Sequence, residues 1–210
     1  RNSYQLGLEY TMTGLNRNGG EWRTRVEFGE IAGLRSEFFQ PAGDRGQYYV
    51  FPYLEYRAFD QPVLTGSTVS SQYRLRRSLL GLELGYEPDR NWRLYGGVVY
   101  GRGTGSLAIG NEALFPDFDE DLGELRLGFV RDTLDDADFP SLGSRGELRL
   151  IAKRGLLGSD VEGEIANFVW DKALSRGKHR LLFGTRLHST WGDPGIFDAL
   201  APLGGFLNLS

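Results

Sequence analysis

The chain has 210 residues, no cysteine and a formal net charge of −4. Without cysteine it has no disulfide bridge or thiolate metal site, and the modest charge with no basic patch gives no indication of nucleic-acid binding. No run of eighteen apolar residues occurs, which excludes a transmembrane helix. These averages do not exclude membrane-spanning strands, because a barrel strand presents only every second side chain to lipid.

Apolar and polar side chains alternate in segment after segment, which predicts about ten β-strands and almost no helix. The first strand is the clearest, since Tyr4, Leu6 and Leu8 share one face while Gln5 and Glu9 share the other. The further predicted strands cover residues 22–28, 34–39, 48–56, 73–86, 92–100, 124–130, 147–150, 161–171 and 179–191.

Two places on these strands depart from simple alternation. Pro52 lacks the N–H group that a strand ladder needs, so it predicts a bulge or a locally irregular site. In the strand over 73–86 the alternation slips near Arg76 and Arg77.

The predicted connections fall into two classes by length. The short turns are 16–20, 42–46, 87–91 and 175–178, and the long loops are 59–72, 103–120 and the segment after Trp191. Short turns on one side and long loops on the other are typical of outer-membrane barrels. In this count the turn at 132–146 lies on the short-turn side.

Two properties of the strands favour an apolar surface that faces lipid. Their length of about 9–12 residues suits a tilted membrane-spanning strand and exceeds the usual 5–6 residues of soluble sheets. Aromatic side chains often begin or end the apolar face, as interfacial girdles require. These aromatic residues are Tyr4, Tyr10, Trp22, Phe28, Tyr86, Trp92, Tyr100 and Trp191.

The opposite face of the strands carries charges of both signs, which suits a hydrated lumen with ion pairs. The lumen-facing candidates are Glu9, Arg25, Glu27, Arg57, Glu83, Arg93, Glu124, Arg126, Glu147, Arg149 and Arg186. The alternative is a water-soluble barrel with its apolar face inward. It is disfavoured because about eight strands already leave just enough interior room for side chains, so ten strands with bulky residues would overfill it.

The segment Asp132–Leu150, DTLDDADFPSLGSRGELRL, carries the most specific local signal. Its flanks alternate like strands, and the Asp, Pro, Gly and Ser between them are turn residues. The order Asp-Thr-Leu-Asp, then Phe-Pro, then Gly-Ser-Arg-Gly resembles the periplasmic turn of the outer-membrane Omp85 (bacterial surface antigen D15) superfamily. The matching positions are Asp132, Phe139, Pro140, Gly143 and Arg145.

Two further segments resemble the same superfamily. Residues 37–41, EFFQP, look like a strand end before a periplasmic turn, and 203–210, LGGFLNLS, look like the entry to the sixth extracellular loop. Gly204, Gly205 and Leu209 fit that loop motif, whereas Ser210 stands where the family has arginine. The form of this segment is most similar to the translocator barrels of patatin-like phospholipase autotransporters, which use type V secretion (subtype d).

The resemblance implies an all-β, antiparallel transmembrane β-barrel of sixteen strands. This chain, 1–210, would be a fragment of about ten of them, approximately strands two to eleven, with the start of the sixth extracellular loop. POTRA and passenger domains are not expected in it. Because lipid does not tolerate the unpaired edges of an open sheet, we expect either that the intact protein is longer or that this fragment closes differently.

The motifs of catalytic sites do not occur in this sequence. It has no Gly-x-Ser-x-Gly elbow and no phosphate loop, and 101–105 lacks the full dinucleotide spacing. His188 and Ser189 would point to opposite faces of a strand. The acidic residues at 132–138 lack the glycine and closing glutamate of a calcium loop, so a turn-capping role is predicted. The acidic residues at 117–121 are predicted to lie in a water-exposed loop. We predict no catalytic, metal or cofactor site in this segment.

These features together predict an outer-membrane translocator pore that moves or inserts polypeptide without a chemical step, with its own N-terminal lipase-like passenger as substrate. The alternatives are a barrel-assembly factor or two-partner secretion pore, a passive diffusion porin and, last, an outer-membrane hydrolase. The expected location is the Gram-negative bacterial outer membrane. The expected partners are outer-membrane lipids, the translocated polypeptide and the barrel-assembly machinery, with no nucleic acid.

Overall fold

The structure is a computed structural model that describes residues 4–65, 68–111, 113, 116–193 and 195. Ten antiparallel strands form one sheet in which each strand pairs with its neighbours in sequence, so β1 and β10 are its two edges. The strands are β1 Gln5–Met12, β2 Glu21–Gly29, β3 Ile31–Ala42, β4 Tyr48–Thr65, β5 Thr68–Asp89, β6 Trp92–Ile109, β7 Phe118–Asp132, β8 Gly143–Lys153, β9 Gly163–Arg176 and β10 His179–Gly192.

The predicted fold class is confirmed, since every predicted strand has a counterpart in the sheet and the pairing is antiparallel throughout. A 3₁₀ turn at Gly155–Leu157 lies between β8 and β9. Over the residues that the structure describes, no helix is long and apolar enough to cross a membrane.

The predicted long loops at 59–72 and 103–120 are wrong, because the strands continue through most of them. Cross-strand ion pairs join these extensions: Arg74 of β5 pairs with Asp60 of β4. In the next hairpin Arg102 of β6 pairs with Asp119 of β7. In these extensions both faces of the strands carry polar or mixed side chains. The hydrophobic alternation therefore ends before the strands do, and the sequence pattern places the strand ends too early.

The connections also do not alternate in length as predicted. Glu30 alone joins β2 to β3, whereas the turn on the supposed short side between β7 and β8 spans 133–142. The grouping of the turns is nevertheless confirmed, because the up-and-down order puts the β1–β2, β3–β4, β5–β6, β7–β8 and β9–β10 connections at one end of the sheet. We call this the turn end, and the other the loop end.

The predicted slip of alternation near Arg76 and Arg77 is wrong. The β4–β5 register runs unbroken from Tyr86 to Ser71. Leu75 and Leu79 lie on the polar face, where they are buried. Because these two apolar residues occupy polar-face positions, the sequence pattern looks as if the strand changed face.

Pro52 interrupts pairing without producing a bulge. The β3–β4 ladder pairs Glu37 with Tyr53 and resumes at Gln40 with Val50 in the same register. The irregularity is therefore local, as expected where a backbone donor is missing.

The sheet exposes its apolar face and buries part of its charged face, which is the reverse of the arrangement in a water-soluble protein. On the apolar face Leu8 keeps 67% of its surface exposed and Leu80 keeps 63%. On the charged face Glu124 is 2% exposed and Lys153 is fully buried. An apolar-inward soluble barrel does not fit this arrangement, because its leucines would be the buried residues.

Aromatic side chains of the apolar face gather near the turn end. The rings of Tyr48 and Tyr86 stack with their centroids 5.0 Å apart. Trp92 packs against Phe129 at 5.2 Å, and Arg131 lies over the Trp92 ring. This is the amphipathic composition that favours a membrane–water interface.

Aromatic rings on the charged face lie over glycines of the neighbouring strand. Tyr53 is directly opposite Gly81, and a Cβ atom at Gly81 would overlap its ring. The same arrangement joins Tyr49 to Gly85 and Tyr95 to Gly128. The glycines let large rings lie flat along the sheet, so side chains can reach across strands.

Candidate functional site on the charged face

The pairing register places all of the predicted lumen-facing residues on one face, opposite to the apolar face. Glu9 is paired across with Arg25, Glu27 and Arg57 flank Gly33, and the remaining candidates follow the same parity. The other members of the set are Glu83, Arg93, Glu124, Arg126, Glu147, Arg149 and Arg186. We call this surface the charged face.

Ion pairs join the strands of the charged face from β1 to β4. Arg25 donates to Glu9 at 2.5 Å. Glu37, which is buried, accepts from Arg23 and, at 2.6 Å, from Arg35, whose other nitrogen donates to Glu55 at 2.6 Å. Shared carboxylates and guanidinium groups of this kind satisfy several polar atoms at once.

A second group of contacts links strands that are not neighbours. Arg126 of β7 pairs with Glu124 at 2.6 Å and also donates to the Tyr53 hydroxyl of β4 at 3.0 Å. Two strands lie between these partners. Arg126 is directly opposite Gly97 and Tyr53 lies over Gly81, so both side chains extend over glycine backbone to meet.

Further polar contacts continue the charged face towards the turn end and β10. The Tyr49 hydroxyl donates to Glu83 at 2.8 Å and Arg93 pairs with Glu87 at 2.6 Å. The remaining contacts are Arg149 with Glu147 at 2.7 Å and with the Tyr95 hydroxyl at 3.2 Å, Arg186 with Asp171 at 2.9 Å, and His188 with Asn167 at 2.7 Å.

The acidic segment at 117–121 is not wholly a water-exposed loop, so that prediction is wrong for part of it. Glu120 lies on β7, is buried on the charged face and pairs with fully buried Lys153 at 3.5 Å. Gly195, beyond β10, packs so closely on Glu120 that a Cβ there would overlap the carboxylate. Gly195 therefore lies against the charged face, and the Asp193 amide donates to the Glu162 carbonyl at 2.9 Å.

The loop motif predicted at Gly204, Gly205, Leu209 and Ser210 lies outside the described residues.

The turn motif at the turn end is held by its own side chains. Asp135 accepts from the Ser141 and Leu142 amides at 2.8 and 3.0 Å and from the Ser141 hydroxyl. These donors lower the pKa of Asp135 to about 2. Asp136 accepts from the Phe139 and Asp138 amides, which also lowers its pKa. The predicted turn-capping role is confirmed for these two carboxylates.

The motif positions Asp132, Gly143 and Arg145 close the same turn. Asp132 caps the Leu134 amide at 3.0 Å and faces Arg145 at 3.8 Å. Gly143 has a φ of +102°, and a Cβ there would overlap the Thr133 carbonyl oxygen. Only glycine fits this backbone. Phe139 is exposed, and its carbonyl accepts from Arg180 at 3.4 Å.

Sequence reasoning missed several residues of the charged face, namely Arg23, Arg35, Glu37, Tyr53, Glu55, Glu120 and Lys153. The alternation of Arg35 with Glu37 on β3 was a usable signal. Alternation along the strands also places Tyr53 with Arg57 and Lys153 with Arg149, but their partners Arg126 and Glu120 could be identified only from the cross-strand arrangement.

Comparison with known proteins shows a likeness of fold. No family model matches the sequence and no curated protein is similar to it. The structure is similar to the crystal structure of BamA from Haemophilus ducreyi lacking POTRA domains 1–3, with a TM-score of 0.75 and 13% sequence identity. The match covers 90% of this chain and 39% of that chain. The ten strands therefore have the arrangement of part of a BamA-like β-barrel.

Proposed function

We propose that the chain is part of the wall of an outer-membrane pore of the Omp85 superfamily that moves or inserts polypeptide in Gram-negative bacteria. The observation that carries this proposal is the inverted sheet, with exposed leucines on one face and paired charges, several of them buried, on the other. The resemblance of the turn at 132–150 and the BamA-like fold support it. The charged face then lines the lumen, and the pore works without a chemical step.

Paired charges suit a path for polypeptide. Each arginine on the β2–β3 part of the charged face already has a carboxylate partner, as Arg23, Arg25 and Arg35 show. A passing segment therefore meets a polar, hydrated wall with little net attraction for either sign of charge. Conduction needs binding that is strong enough for entry and weak enough for release.

The barrel would be completed by further strands. Within the described residues β1 and β10 pair with one neighbour each, and lipid does not tolerate unpaired strand edges. We propose the sixteen strands of the superfamily, with this chain supplying strands two to eleven. Outer-membrane lipids would cover the apolar face, and the barrel-assembly machinery would insert the protein.

We further propose that the translocated polypeptide is the protein's own lipase-like passenger, on the resemblance of 203–210 to patatin-like autotransporters. A barrel-assembly factor or two-partner secretion pore would use the same wall. The sequence upstream of Arg1 separates them, because a Gly-x-Ser-x-Gly lipase domain supports the autotransporter and POTRA domains without a lipase support the other two.

Cysteine cross-linking tests the proposal, since the chain has no cysteine of its own. Thr190→Cys places a thiol on the charged face of β10, and Thr185→Cys places one on the apolar face of the same strand. In the full-length protein, a passenger that is stalled during export and carries one cysteine should form a disulfide with position 190 and not with 185. Equal cross-linking at both positions, or none at 190, would contradict a polypeptide path along this face.

A further inference from the structure

A small cavity of about 180 Å³ opens on the charged face between β2, β3 and β4. Glu27, Gly33 and Arg57 occupy one row of the sheet, with Gly33 in the middle. Because Gly33 has no side chain, the cavity separates the carboxylate on β2 from the guanidinium on β4. It lies towards the loop end, close to the tight β2–β3 connection.

Arg57 is the cation of this region that the protein leaves without an anion. Its Nε is buried without a hydrogen-bond partner, and within the described part of the chain no carboxylate forms an ion pair with it. Arg77 stands directly opposite on β5, and like charges in that position destabilise a sheet. The neighbouring arginines differ, since carboxylates pair with Arg25, Arg35 and, at 3.5 Å, Arg77.

Glu27, on the other wall of the cavity, is also unused. Among the residues with described positions, none forms a hydrogen bond or an ion pair with its carboxylate, and the atom nearest to the missing Gly33 side chain is its Oε2. Glu27 and Arg57 thus face each other across Gly33 without meeting. Charges of both signs line the cavity, and Arg25, Arg35 and Glu55 among them are already ion-paired, which leaves Glu27 and Arg57 as its two unpaired charges among the described residues.

We propose that this cavity binds a single carboxylate carried by a polypeptide on the charged face, with Arg57 as its donor. The two terminal nitrogens of the Arg57 guanidinium can donate two parallel hydrogen bonds to a carboxylate, which supplies the anion that Arg57 lacks and offsets the repulsion from Arg77. Glu27 sets the selectivity, because its charge opposes a second anionic group. The polypeptide as the source of the carboxylate rests on the proposed function, whereas the preference of the cavity for a carboxylate does not.

Peptide binding to the purified full-length protein tests this site. The probe is a fluorescent peptide of glycine and serine with one central glutamate and blocked ends, and its control has glutamine instead. The glutamate peptide should bind about tenfold more tightly, as expected for a charge-assisted hydrogen bond. Fluorescence anisotropy gives both affinities.

Two variants should shift the affinity for the glutamate peptide in opposite directions. Arg57→Gln should remove the preference over the glutamine peptide, and Glu27→Gln should strengthen binding because it removes a like charge. Arg17→Gln, in the turn after β1, deletes the same charge as Arg57→Gln at a distance from the cavity and should change nothing. If Arg57→Gln binds both peptides as the unsubstituted protein does, the site is not a carboxylate site.

Competition with free acetate distinguishes a carboxylate carried by a polypeptide from a small free carboxylate as the ligand of this cavity. Acetate should displace the glutamate peptide only at far higher concentration than the peptide itself requires. Displacement by acetate at similar concentration would overturn the polypeptide as ligand. Failure of the site would leave cross-linking to Thr190→Cys intact, whereas failure of the proposed function would abolish that cross-linking, so the two results are distinguishable.

Discussion

Individual side chains at the turn end determine how the β7–β8 connection responds to acid. The amides and hydroxyl that bind Asp135 favour its charged form, so its pKa of about 2 lies below the usual value of a free aspartate. A carboxylate with a lowered folded-state pKa stabilises the protein above the unfolded pKa and loses that effect as the pH falls through the folded pKa.

The Asp135→Ala variant should therefore be less stable than the unsubstituted protein near neutral pH, and the difference should shrink between about pH 4 and pH 2. Denaturant unfolding across this range measures it. Asp138→Ala is the control, because inside the described range its carboxylate accepts no hydrogen bond. A difference for Asp135→Ala that is independent of pH would mean that the charge on Asp135 does not support the turn.

Between strands, the rings that lie over glycines fix the β4–β5 and β6–β7 registers. Tyr53 fits against the sheet only because Gly81 has no side chain, and Tyr95 depends on Gly128 in the same way. Each tyrosine fits opposite only one residue of the neighbouring strand. If the pairing of the two strands shifted by one residue, the ring would overlap a Cβ atom or point to the other face.

Gly81→Ala should destabilise the protein by about 1–3 kcal/mol, because the added methyl group forces the Tyr53 ring to move. Gly7→Ala provides the matched control, since its added Cβ meets nothing within 4 Å. Free energies of unfolding for Gly81→Ala, Tyr53→Leu and the double variant give the coupling between the two positions. Strictly additive effects would show that the ring does not depend on this glycine.

The same elements explain how far the sequence alone could predict the fold. β10 was recognisable because Leu181, Phe183 and Leu187 share one face while Gly184, Arg186 and His188 share the other. On β4 the charged face itself carries Tyr49 and Tyr53, so both faces are aromatic and the alternation is weak. The glycines that accommodate these rings lie on another strand, and only the pairing register identifies them.

The charged face could be predicted as a set but not as a network. Parity along single strands gave Glu9, Arg126 and their companions, whereas the contact of Arg126 with Tyr53 joins residues far apart in sequence. The Glu120–Lys153 pair was missed because residues 103–120 were interpreted as a loop. In both cases the missing information was the pairing register between strands, which the polarity of the side chains along one strand does not determine.

For the molecule as a whole, the proposed membrane location makes lipid the solvent of the apolar face. Leu127 is half exposed in the middle of β7 and has leucine or glycine as its cross-strand neighbours. If this face lies in a bilayer, a charge at Leu127 must leave water when the protein folds.

Leu127→Arg should then lower the free energy of unfolding by about 2–4 kcal/mol in liposomes, the cost of a cationic side chain near the bilayer midplane. Thr190→Arg, on the charged face, adds the same side chain where water is expected and should have little effect. Urea unfolding of liposome-inserted full-length protein compares the two. Equal costs for both variants would reject the outward orientation of the apolar face.

The hydrogen bond between Arg126 and the Tyr53 hydroxyl has a mechanical consequence. It connects β4 to β7 across the two strands that lie between them. Bending or flattening the sheet between β4 and β7 would stretch this hydrogen bond, so the bond opposes movement of these four strands relative to one another.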